Sequence, residues 1–212
     1  MYVEIEALTK IIDKNKVLDD VSLEMDKGKI YGIKGKNGSG KTMLLRAVCG
    51  LIKPTEGLVR VSGKQIGKDV TFPDSVGVLI ENPGFIPSLS GYDNLKMLAD
   101  IKGLIGKEEI EAAMEKVGLE KACFKKKYKT YSLGMKQKLG IAVAIMESPE
   151  LILLDEPTNA LDEESVRKLL DILKEEKKRG ACIILASHDM EELTLLSDII
   201  FIMEEGRVRK AE

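Results

Sequence analysis

The chain has 212 residues, which at roughly 150 per domain gives one or two domains and enough length to bury a sizeable core. Apolar residues make up 44% and charged residues 32%, which excludes a disordered chain. The 33 Lys and Arg against 35 Asp and Glu leave a net charge of −2, which argues against broad electrostatic binding to nucleic acid. The longest apolar run, Leu139–Met146, is eight residues, far short of the ~18 that a membrane span needs. Cys49, Cys123 and Cys182 are odd in number and form no Cys-x-x-Cys pair, which fits buried thiols in a reducing compartment.

The start of the chain, Met1–Lys10, alternates apolar and polar residues as a strand does and lacks the basic-then-apolar build of a signal peptide. The chain therefore reads as cytosolic. Further strands are predicted at 17–25 and 29–34. Gly35-Lys-Asn-Gly-Ser-Gly-Lys-Thr42 then matches G-x-x-x-x-G-K-[ST] between a predicted strand and a helix over 41–49 stopped by Gly50. Such a loop turns tightly enough for its N–H groups to converge on phosphate oxygens, next to a helix N-terminus that favours anions. Lys41 can reach the β- and γ-phosphates, and the Thr42 hydroxyl can ligate Mg²⁺.

Strands are predicted at 58–62 and 76–80, after which the pattern changes. From Ser90 to Ser148 helical stripes follow one another: Ser90 with Asp93 is a capping-box pattern ahead of Leu95, Leu98 and Ala99, Ile110–Val117 forms a second stripe ended by Gly118, and 133–146 reads as a third helix. This is a helical insert in an α/β chain with a largely parallel sheet. The lysine run 125–129 reads as a solvated loop, with acidic lipid headgroups as the alternative partner. Strands at 151–155, 181–187 and 199–203 and a helix over 163–179 complete the pattern.

The strand Leu151–Asp155 ends in Asp155-Glu156, which places two carboxylates at the C-terminal edge of the sheet, where open α/β folds bind ligands. Asp155 can hold a metal through its water shell, and Glu156 can polarise an attacking water. With the glycine loop, these residues describe a P-loop NTPase with Mg²⁺ at its phosphates.

Tyr131-Ser132-Leu133-Gly134-Met135-Lys136-Gln137 resembles the Leu-Ser-Gly-Gly-Gln signature of ATP-binding cassette (ABC) ATPases. Pro157–Asp162 resembles their D-loop, and His188 stands where that family keeps its switch histidine. The resemblance covers essentially the whole chain, with the motifs in the family's order. It implies an ABC ATPase fold: a RecA-like α/β core over 1–85 and 149–212 that carries an N-terminal antiparallel β subdomain, and a helical signature subdomain over 86–148. It further implies nucleotide contacts from Gly35, Asn37, Gly38, Ser39, Gly40, Lys41, Thr42 and Met43. Ser132, Gly134 and Asp162 would serve the nucleotide of a second copy. Catalysis would fall to Glu156, His188 and Glu81, and Mg²⁺ binding to Thr42, Asp155 and Glu81. The implied partners are a second copy of the chain, joined around two ATP molecules, and a separate transmembrane permease that holds the protein on the inner face of the membrane. No nucleic acid is expected.

Three departures from the family pattern stand out. Glu81 replaces the usual glutamine, and its charge beside the phosphates requires either metal binding or protonation. Ile11 or Ile12 stands where an aromatic ring usually stacks on adenine. The signature carries Leu133 and Met135 where Gly and Gln are usual. The segment 76–85 and the variant signature resemble ATPase subunits of exporters for bacitracin, lantibiotics and related toxic peptides. The chain ends soon after Arg207, short of the C-terminal extension that branch often carries, as a reduced member would. Two alternatives remain at this stage. One is a non-transport ABC ATPase of DNA repair or translation, although the coiled coils or paired cassettes usual there are missing from the sequence. The other is a P-loop nucleotide kinase, which leaves 131–137 and 157–162 unexplained.

Overall fold

The structure, a computed structural model, describes residues 1–81 and 83–211. Strands β1 (Val3–Ile12), β2 (Asn15–Met25), β4 (Glu56–Val61) and β5 (Lys64–Gln65) form an antiparallel sheet in the order β2-β1-β4-β5. Strands β3 (Lys29–Lys34), β6 (Val76–Leu79), β7 (Leu151–Asp155), β8 (Cys182–Ser187), β9 (Ile199–Glu204) and β10 (Arg207–Lys210) form the second, ordered β10-β9-β3-β8-β7-β6. Its pairs are parallel except β9–β10. The largely parallel sheet expected from the alternating pattern is the second of these. Segments 17–25 and 58–62 belong to the separate antiparallel one, in agreement with the fold that the resemblance implies.

Burial explains why β7 and β8 were the clearest strands in the sequence. All five residues of β7 and all six of β8 are buried, so each reads as a continuous apolar run, as central parallel strands do. Ile152, Leu154, Ile183 and Leu185 enter one core, and Leu151, Leu153, Ile184 and Ala186 enter the other. The second core also contains Leu44, Leu45, Ala47 and Val48 of α1 (Lys41–Val48) and the inner faces of β1, β2 and β4, so α1 lies between the two sheets.

The first core is completed by helices. Between β6 and β7 follow α2 (Gly91–Lys102), α3 (Lys107–Lys116), the short α4 (Lys121–Phe124) and α5 (Leu133–Ile145). Beyond β7 come α6 (Glu163–Lys178) and α7 (Met190–Leu196). The α2 start realises half of the expected capping box: Ser90 Oγ accepts from the Asp93 N–H at 3.0 Å, while Asp93 Oδ2 accepts from the Ser90 hydroxyl at 2.6 Å. The lysine run straddles a 3₁₀ turn, Tyr128–Thr130, whose Tyr128 ring packs edge-on against Phe85 at 5.0 Å.

Besides the 3₁₀ turn, four elements are absent from the sequence reading: β5, β10 and the short helices α4 and α7. The two strands are edge pieces of hairpins. Glu205 and Gly206, both at positive φ, form the two-residue turn into β10, and Ser62 and Gly63 do the same before β5, the backbone that type I′ turns require. The turn sets the register there, because Arg-Val-Arg-Lys has almost no apolar pattern of its own.

Burial also separates the thiols. It pushes Cys182 up to about 12 and raises Cys49, and both are buried, whereas Cys123 is partly exposed. A water-soluble maleimide should therefore modify one cysteine of the native protein and three after denaturation, read by intact mass. Cys123→Ser should abolish the native labelling.

Candidate functional site

The glycine loop joins the end of β3 to α1. Gly40 sits at φ 110°, where a side chain is strained, and a Cβ there would also lie 2.6 Å from the Val17 carbonyl. At Gly35 a Cβ would run into Ser39 Oγ and the Met203 carbonyl. Both positions therefore need glycine for the loop to fold back over the sheet edge. Lys41 is 5% exposed. Its ammonium donates to the Gly35 carbonyl at 2.6 Å and the Lys36 carbonyl at 3.4 Å, and lies 3.5 Å from Glu156 Oε1.

The Thr42 hydroxyl donates to Asp155 Oδ2 at 2.6 Å, tying the start of α1 to the end of β7. Burial raises the Asp155 carboxyl above the usual carboxylate range, opposed by the Thr42 hydrogen bond and reinforced by the charge of Glu156. Among the described residues, four buried side-chain polar atoms have no hydrogen-bond partner, and three of them are here: Ser39 Oγ, Asp155 Oδ1 and Glu156 Oε1. Buried polar groups are seldom left unpaired, so these atoms mark a place for a ligand. A hydroxyl and carboxylate oxygens suit a hard divalent cation such as Mg²⁺. Among the described residues no three His, Cys, Asp or Glu side chains group to hold a metal unaided.

Glu156 follows β7 in the left-handed region, at φ 47°, with its N–H donated to the Ala186 carbonyl at 2.8 Å. That unusual backbone turns its carboxylate toward the loop. His188 Nδ1 lies 2.9 Å from Glu156 Oε2, so the residues closing β7 and β8 meet beside Lys41. Glu81, Thr42, Met43, Asn37, Asp155 and Glu156 all line one cleft of about 420 Å³. Ile12 and Val17 line it too, while Ile11 pairs with Lys16 within the antiparallel sheet.

For Glu81 the structure adds a third way of accommodating the charge to the two that the sequence offered. Its Oε2 pairs with the Arg46 guanidinium at 2.8 Å, from the last turn of α1. Arg46 was not singled out in the sequence, where it reads as an ordinary basic residue at a helix C-terminus.

Ser132 caps α5, its hydroxyl accepting from the Met135 N–H at 3.2 Å, and Gly134 lies so close to the 157–162 loop that a Cβ would sit 2.8 Å from the Ala160 carbonyl. Asp162 caps α6, accepting from the Ser165 N–H at 2.8 Å. None of these three lines the cleft around Lys41. Gln137 of α5, quoted in the signature but given no role, does reach that neighbourhood: its amide donates to the Glu156 and Pro157 carbonyls, both at 3.0 Å. Its side chain spans from the signature helix to the backbone of Glu156.

Against known proteins, a family model described as ABC transporter matches residues 18–159, and a model of an AAA domain matches 127–194. An uncharacterized ABC transporter ATP-binding protein of Bacillus subtilis, YybJ, is 50% identical over 210 residues, covering 99% of this chain and 96% of its own. The bacitracin transport ATP-binding protein BcrA of Enterococcus faecalis is 42% identical over 208 residues, 97% of this chain and 67% of that protein. Among solved structures, a dimeric ATP-binding cassette in a post-hydrolysis state bound to ADP and Pi is 25% identical with a TM-score of 0.88, covering 99% of this chain and 98% of its own.

Proposed function

We infer the function from one premise: this chain belongs to the ABC transporter family, as an ATP-binding subunit. It binds and hydrolyses ATP. We propose that two copies close around two Mg²⁺·ATP, with the Gly35–Thr42 loop of each facing the Ser132–Gly134 helix start of the other, and that this cycle drives a separate membrane permease. The helical segment 86–148 would be the unit that carries the signature, set into the core formed by 1–85 and 149–212. No helix among the described residues is long and apolar enough to cross a membrane, so any span would come from that partner. The protein would then sit in the cytoplasm, on the inner face of the membrane. The name of the bacitracin transport relative supports small antimicrobial or toxic peptides as cargo.

The observation that carries the catalytic reading is the convergence of Lys41, Thr42, Asp155, Glu156 and His188 on one loop. Lys41 would exchange its bonds to the Gly35 and Lys36 carbonyls for phosphate oxygens, and the loop N–H groups would hold the rest of the triphosphate. Thr42 and Asp155 would hold Mg²⁺, which when bound neutralises phosphate charge. Glu156 would take the proton of the attacking water, oriented by His188. Glu81, held by Arg46, would stand at the rim of this arrangement.

A tagged chain captured from detergent-solubilised native membranes tests the transport assignment. Recovery of a polytopic membrane protein in equal amount is expected. Recovery of ribosomes, repair proteins or no partner, from material that still hydrolyses ATP, would move the assignment to a non-transport ABC ATPase.

A further inference from the structure

Glu192, in the first turn of α7, accepts two hydroxyl hydrogen bonds on a single oxygen, Oε2. One comes from Thr158 Oγ1 at 2.6 Å and the other from Ser187 Oγ at 3.0 Å. Ser187 Oγ also accepts from the Asp189 N–H at 3.0 Å. Thr158 and Ser187 are 5% and 2% exposed, so both hydroxyls need a partner inside the protein. Thr158 lies two residues after Glu156, and Ser187 immediately precedes His188.

The ordinary role of an acid at this position is to complement the N-terminal dipole of a helix. Here Asp189 already caps α7, accepting from the Glu191 N–H at 2.8 Å, and Glu191 adds a second acid to the first turn. Glu192 instead reaches across to a loop 34 residues earlier in the chain. The β7–β8 ladder has its last backbone bond from the Glu156 N–H to the Ala186 carbonyl. Beyond that bond the two segments are joined through side chains, by the Glu156–His188 contact at 2.9 Å and by the Glu192 carboxylate.

We propose that Glu192 is a positioning residue for ATP hydrolysis, a clamp that ties the loop after β7 to the end of β8 and so holds Glu156 and His188 together. The inference rests on the roles given above to Glu156 and His188. Glu156 is held at φ 47°, a backbone that glutamate keeps only where its surroundings fix it, and the clamp supplies part of that constraint. Releasing the clamp lets the carboxylate move relative to the attacking water without touching the phosphate cradle around Lys41. Turnover should suffer and nucleotide binding should not.

Steady-state ATPase kinetics on the full chain test this. Glu192→Ala is expected to lower kcat by about ten- to a hundredfold with KM for ATP nearly unchanged, the scale of a small misplacement of a reacting group. Glu192→Gln, whose amide oxygen can accept both hydroxyls, should restore most of that loss. Thr158→Val should reproduce the loss, Thr158→Ser should not, and Glu192→Ala combined with Thr158→Val should cost no more than either alone. The Thr158 pair carries the test if Glu192→Ala fails to fold. A normal kcat, a rise in KM alone, or additive losses would overturn the clamp. Glu156→Gln measured alongside separates the two failures: if it keeps normal turnover, the catalytic reading itself is wrong, whereas an inactive Glu156→Gln beside a normal Glu192→Ala removes only the clamp.

Discussion

Glu156→Gln should bind ATP with near-normal affinity, lose about 10²- to 10⁴-fold in turnover, and accumulate as an ATP-dependent dimer visible by light scattering. The substitution keeps the size and the backbone bond to Ala186, so the left-handed turn after β7 has no reason to change. It removes the group that can take a proton from water, because an amide is no base. It also removes a negative charge beside the buried Asp155, whose carboxyl that charge helps to raise, so the folded state has little to lose. Phosphate binding by Lys41 should survive, since the ammonium keeps its two carbonyl partners in the resting loop. Normal turnover in this variant would remove Glu156 from the chemistry. A monomer with ATP bound would remove the two-copy arrangement instead.

How far such a site can be seen in the sequence depends on how far apart its parts lie along the chain. The glycine loop is visible because eight consecutive residues carry it, β7 because burial on both faces makes Leu151–Leu154 an unbroken apolar run, and β3 because Ile30, Tyr31 and Ile33 stand buried between two lysines. Their predicted bounds, 29–34 and 151–155, coincide with the strands in the structure. Side chains that act across the fold are different. Arg46 and Glu81 are 35 residues apart, and Thr158 and Glu192 are 34 apart, so no local pattern joins either pair. Each member alone has an ordinary surface explanation. Glu81 stands out in the sequence only because the resemblance supplies an expected identity to depart from. The helix α7 does carry a local signal: Asp189 ahead of Glu191 and Glu192 is an N-cap pattern, and Leu193 and Leu196 supply a short apolar stripe.

Lys41→Ala should separate binding from chemistry in the opposite direction, weakening ATP affinity by about 10²-fold or more and taking turnover down with it. The magnitude follows from two charge-assisted bonds to phosphate at about 1.5–3 kcal/mol each, of which about 3 kcal/mol corresponds to a hundredfold in affinity. The ammonium is almost fully buried and sits 3.5 Å from Glu156 Oε1, an atom with no hydrogen-bond partner among the described residues. Alanine therefore removes the cation that offsets the adjacent Glu156 and Asp155 charges, and thermal stability should fall by about 1–3 kcal/mol in the absence of nucleotide. Lys41→Arg should not rescue binding, because a planar guanidinium is bulkier than the ammonium at this almost fully buried position and presents its donors in a different geometry. Equilibrium binding of a fluorescent ATP analogue, measured on the alanine and Glu156→Gln variants side by side, reads the contrast directly. If Lys41→Ala binds as tightly as the parent, the loop is not a phosphate cradle, and the convergence of Thr42, Asp155 and Glu156 on it needs another ligand. If it fails to bind while Glu156→Gln binds and stalls, the lysine and the glutamate, 3.5 Å apart in the fold, divide the work between holding the triphosphate and breaking it.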